Sequence, residues 1–120
     1  MKAVAAALSI AVMTVWASAA RADHFMGSCA NELNAVETAI QAGVFLGQNA
    51  ATDQSNLLAK LEAAGAKIQL GKAADAVDKL QDISDKATAL AEAPKPKLAD
   101  ATVINAAVTA AIACVGTLQP

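Results

Sequence analysis

The residues best equipped for chemistry lie close together, in the stretch DHFMGSC from Asp23 to Cys29. His24 is the single histidine of the 120-residue chain, and Cys29 is one of only two cysteines. Imidazole nitrogen, thioether sulfur and thiol are soft or borderline donors that suit copper, so His24 and Met26 are the candidate metal ligands. Cleavage of a leader after Ala22 places His24 second in the processed chain. A free amine, the intervening amide and the imidazole then compete together for Cu(II). The opposing reading is a flexible N-terminal tail over residues 23–28 that carries an incidental histidine. Cys29 has a different claim on it, because Cys114 is the one thiol with which it can pair.

Other chemistries find no residues to carry them. Nucleophilic catalysis needs a histidine or equivalent base within reach, and the lone histidine lies outside the helical segments, so no catalytic residue is assigned and the chain is read as not an enzyme. A haem in a helical core needs axial histidine or methionine, which the helical segments lack. A c-type haem needs C-x-x-C-H, whereas Cys29 is followed by Ala30, Asn31 and Glu32. A carboxylate-bridged di-iron centre needs Glu-x-x-His motifs, and there are none. No cofactor is expected. Asp75, Asp78, Asp82 and Asp85 step by three and four with Lys72, Lys79 and Lys86 interleaved. That pattern describes a solvated, salt-bridged helix face rather than a calcium loop of converging oxygens.

The first 22 residues, MKAVAAALSIAVMTVWASAARA, have the three parts of a secretory signal peptide: Lys2, an uncharged apolar run, and the small-residue site Ala20-Arg21-Ala22. The run is too short for a membrane span. The expected location is therefore secreted or periplasmic, with no membrane span after cleavage. Removing Lys2 and Arg21 with the leader leaves seven lysines against eleven acids, no arginine and two aromatics, Phe25 and Phe45. Nucleic-acid binding, which needs basic patches or stacking rings, is excluded on that composition.

Four amphipathic segments follow. The first, Cys29 to Phe45, repeats Leu33, Val36, Ile40 and Val44 at helical steps, with Ser28 as a candidate N-cap and Gly47 as the stop. The second, Asp53 to Leu70, carries Leu57, Leu61, Ala64 and Ile68 and ends at Gly71. The third, Lys72 to Glu92, has the clearest stripe: Ala73, Ala76, Val77, Leu80, Ile83, Ala87 and Leu90. After the stiff link APKPK, the fourth runs from Ala101 to Val115 behind Asp100, with a wide apolar face that includes Val103 and Ile104.

These segments predict an all-α, alanine-rich, up-down-up-down four-helix bundle over residues 29–116, followed by a short tail over 117–120. Alanine buries little area per residue, so such a core is thin and needs a staple. In this topology the start of the first helix and the end of the fourth lie at the same end, which brings Cys29 to Cys114 as a disulfide in an oxidising compartment.

Residues 57–115, LLAKLEAAGAKIQLGKAADAVDKLQDI followed by KLADATVINAAVTAAIACV, resemble the small helical FIMAH domain of secreted bacterial enzymes and surface proteins. The resemblance implies a three-helix, non-catalytic, extracytoplasmic accessory module, to which this chain adds a first helix and a cysteine pair. The function expected is that of an exported interaction or accessory module with a protein partner. The alternative is a small carrier, of copper through the N-terminal segment or of an apolar ligand in the bundle core.

Overall fold

Residues 24–118 are described by a computed structural model. The leader, its cleavage motif and Asp23 lie outside the described residues. Helix α1 spans Ala30–Ala42, α2 Ala50–Gln69, α3 Ala73–Glu92 and α4 Thr102–Gly116. Each helix packs on its neighbours in the chain, and α1 packs on α4 to close the ring. This is the up-down-up-down bundle the periodicity predicts.

The core is the set of predicted stripes. Val36, Ile40, Leu57, Leu80, Ile83 and Val115 are fully buried, and so are Ala64, Ala76, Ala87 and Ala111, whose small side chains suit close helix packing. Among the described residues, no helix is long and apolar enough to cross a membrane.

The bundle is pinned at both ends. At one end the disulfide joins Cys29 to Cys114, with Cα atoms 5.9 Å apart. It closes a loop of 85 residues, which in the chain-entropy model stabilises by roughly 4–5 kcal/mol. At the other end the two connections α1–α2 and α3–α4 meet in a single antiparallel bridge. Leu46 N–H donates to Lys97 C=O at 2.9 Å and Ala99 N–H to Val44 C=O at 2.9 Å, which leaves the Leu98 side chain fully buried.

That bridge explains where α1 stops. Gly47 is left-handed with φ 88°, yet the helix already ends at Ala42, with Gly43 extended as its C-cap. Residues 44–46 are drawn away to pair with 97–99, a long-range demand that local turn chemistry does not reveal. The start of α1 also differs from expectation. The N-cap is Cys29 rather than Ser28, with φ 60° and no side-chain cap. A left-handed non-glycine residue costs about 1–2 kcal/mol. Helix α2 begins three residues earlier than predicted, after Asn49.

The α2–α3 turn follows the predicted glycine stop. Gly71 has φ 76°, and Lys72 N–H reaches Lys67 C=O at 2.8 Å while Gly71 N–H reaches Ile68 C=O at 3.0 Å. These two bonds satisfy the last carbonyls of α2. Asp100 accepts from Thr102 N–H at 2.9 Å at the start of α4, and that bond holds its carboxyl below the usual carboxylate range.

The salt-bridged face expected on α3 does not form as such. Among the described residues the one Lys–carboxylate contact is Lys67–Asp75 at 3.9 Å, across the α2–α3 turn. The remaining α3 acids point into solvent, where such pairs gain little. A polar seam that the sequence did not announce lies between α3 and α4. Ser84 Oγ donates to Asn105 Oδ1 at 2.8 Å, and Asn105 Nδ2 donates to Thr88 Oγ1 at 3.0 Å. Ser84 and Thr88 are one turn apart on α3, so a single asparagine fixes the register of the helix pair.

Candidate functional site

The segment expected as a loose tail is docked on the bundle from His24 to Ser28, the part of residues 23–28 that the structure describes. Phe25 explains the docking. Its N–H donates to Asn34 Oδ1 at 2.8 Å, and its C=O accepts from Asn34 Nδ2 at 3.2 Å. The Asn34 amide thus satisfies one extended residue as a neighbouring strand would. Asn34 is the single buried polar residue of the described core, and this pairing makes its burial tolerable.

The ring of Phe25 lies over Gly65 on α2. A Cβ at that position would sit 2.8 Å from the ring carbon Cε1. Gly65 is therefore a cradle, placed inside a helix where glycine costs about 1 kcal/mol relative to alanine.

This clamp sets His24 over the α1–α2 seam. The imidazole meets the Phe25 ring edge-on, with centroids 4.8 Å apart and planes at 86°. Its Nε2 hydrogen-bonds the Glu62 carboxylate of α2. That hydrogen bond, then the charge of Glu62, and to a lesser degree Glu37, raise His24 above the ordinary histidine value. His24, Glu37 and Glu62 each offer a ligand atom, and these atoms lie within 4.8 Å of one another. The three residues belong to three separate segments of the chain.

Of the two metal-candidate residues in the sequence, His24 is thus brought to other ligating groups. Met26 is 76% exposed and stands on the rim of the adjoining pocket of about 280 Å³, which His24, Phe25, Glu62 and Gly65 line. Cys29 and Cys114 also lie near Glu32, but both sulfurs are committed to the disulfide. Glu37 and Glu62 were legible only as polar positions beside the helical stripes. Their convergence depends on how α1 and α2 pack.

The opposite flank of α1 is open. Asn31, Ala35, Thr38 and Ala42 of α1 face Val103 and Ala107 of α4 across a groove of about 560 Å³. The groove continues towards the backbone bridge, past Ala39, Gly43 and Val44 to Ala99. Val103 and Val44 flank this extension and are 66% and 60% exposed. Val103 was expected within a buried face of the fourth helix. It remains in the groove because the facing positions on α1 are alanines and short polar residues, which do not cover it.

Comparison of the chain with protein-family models, with curated proteins and with solved structures gives no match.

Proposed function

We propose that this chain is an exported, non-catalytic helical module that docks an apolar helix of a protein partner in the groove between α1 and α4. One observation carries the reading: the groove is mostly apolar, with Asn31, Asn34 and Thr38 set among alanines, and it is flanked by two exposed valines. Small residues let a third helix approach closely, and exposed apolar side chains are the usual anchors of helix-in-groove recognition. Export is supported by the leader pattern and by the disulfide, a bond that persists in oxidising compartments. An accessory role is also what the FIMAH resemblance implies.

The test is a photo-crosslinking residue introduced at Val103 and, as a control, at Asp82 on the solvent face of α3. The reading expects one discrete adduct from Val103 in the exporting cell, lost when Ala107→Gln fills the groove. Identical patterns from both sites, or no adduct from Val103, would sink it.

A second reading places a small apolar ligand in the same groove. The groove volume of about 560 Å³ lies in the range of small-molecule sites. Native mass spectrometry of the exported protein separates the two, since a small ligand adds a fixed mass without crosslinks to protein.

A further inference from the structure

We infer that His24, Glu37 and Glu62 form a binding site for a divalent ion of the zinc class, held by one imidazole nitrogen and two carboxylate oxygens across the α1–α2 seam. Three ligand atoms from three chain segments already lie within 4.8 Å of one another. In a tetrahedral zinc site the ligand atoms stand about 3.3 Å apart, given bonds of about 2.0–2.2 Å. Both glutamates are on long, partly exposed side chains, so rotamer changes alone close that gap.

The imidazole is not free to wander. The Asn34 amide fixes the backbone of Phe25, and the Phe25 ring sits both on Gly65 and against the histidine edge. Such support around a ligand is what turns a coincidence of donors into a site. Three protein ligands also leave coordination positions open to water or to a partner's side chain.

The donor set differs from the one the sequence suggests. Replacing the Met26 thioether with two carboxylates removes the soft sulfur donor and moves the site towards divalent ions that accept mixed nitrogen and oxygen donors. A metal ion displaces any proton carried by the imidazole nitrogen it binds, so affinity falls as pH is lowered.

The experiment is calorimetric titration of the disulfide-intact protein with Zn²⁺ in two buffers of different ionisation enthalpy, with far-ultraviolet circular dichroism to confirm folding. The expected result is one ion per chain with proton release. His24→Ala, Glu37→Gln and Glu62→Gln each weaken binding at least tenfold, and Met26→Ala leaves it unchanged. The absence of saturable binding below millimolar Zn²⁺ overturns the site. So does binding that survives both glutamate substitutions, which would place the ion on an N-terminal amine and His24 alone. Loss of binding in Met26→Ala with Glu37→Gln unaffected overturns it too, in favour of the thioether. All four substitutions are at surface positions, so a folded variant is expected in each case.

Discussion

The two flanks of α1 solve the same packing problem in different ways. On both, a helix rich in alanine and short polar residues faces another helix across a gap its own side chains do not fill. Towards α2 the chain fills the gap with its own N-terminal segment: Phe25 enters over Gly65, Asn34 satisfies its backbone, and His24 spans to Glu62. Towards α4 no other described segment enters. The helices are instead tied beyond both ends of the gap, by the Cys29–Cys114 disulfide and by the backbone bridge at Phe45 and Leu98. A gap filled from within becomes part of the fold and can hold a charged or ligating group at its surface. A gap tied only at its ends keeps its width and stays available to something else. The proposed metal site and the proposed docking groove follow from that difference.

The largest effect that would break the comparison comes from the tie. Replacing both cysteines, C29A with C114A, should cost roughly 4–5 kcal/mol in urea unfolding and should widen or collapse the α1–α4 flank. Putting glycine rather than alanine at position 29 should recover about 1–2 kcal/mol of that loss, because residue 29 is left-handed. Equal stability of the two reduced-type variants would show that the backbone relaxes once the bond is gone.

Next comes the filled flank. F25A should cost about 1–2 kcal/mol for a half-buried ring, and N34A a similar amount by stranding the N–H and C=O of Phe25. G65A sharpens the point through its sign. In the intact chain the added methyl meets the Phe25 ring and should expel the N-terminal segment. In the F25A background the same substitution should stabilise by about 1 kcal/mol through helix propensity. A double-mutant cycle in thermal unfolding reads this directly, and a simple sum of the two effects would count against the cradle.

The open flank should respond least. V44D changes an exposed position and should alter stability by no more than about 0.5 kcal/mol, while abolishing the adduct expected of a crosslinking residue at Val103.

Near neutral pH the response belongs to the filled flank, whereas the lowered carboxyl of Asp100 beside the open flank acts only at acid pH. Because the folded-state pKa of His24 is raised, its pairing with Glu62 is fully present below the ordinary histidine pKa and is lost as pH rises through the raised value. Protection of the Phe25 amide, taken relative to its intrinsic exchange rate at each pH, should therefore fall across that window in the metal-free protein, and H24A should flatten the protection profile.

The helices were readable because their cause is local. Leu80, Ile83, Ala87 and Leu90 lie on one face of α3 by spacing alone, and all four are buried. The cysteine pairing followed from topology, since an even number of antiparallel helices returns the chain to its starting end. What stayed hidden depends on partners distant in sequence. Gly43 rather than Gly47 ends α1 because residues 97–99 claim the segment between them. Phe25 looked like a tail residue because its partners, Asn34 and Gly65, are 9 and 40 positions away. One signal was available: a glycine inside an alanine-rich helix is unfavourable unless something lies against it, and Gly65 was that glycine. The site was half legible. His24 stood out by being unique, whereas Glu37 and Glu62 looked like any solvent-facing acid.

The position of the disulfide also determines how the chain carries load. Cys29 precedes α1 and Cys114 lies in the last turn of α4, so tension applied at the two ends of the polypeptide passes from one sulfur to the other. The helices between them lie in a slack loop and are not stretched. A protein linked at its termini to larger structures could thus transmit a pull through a covalent shortcut while its groove keeps its shape, whereas His24 and Phe25, which precede Cys29, lie in the path of the load and would be drawn off α2.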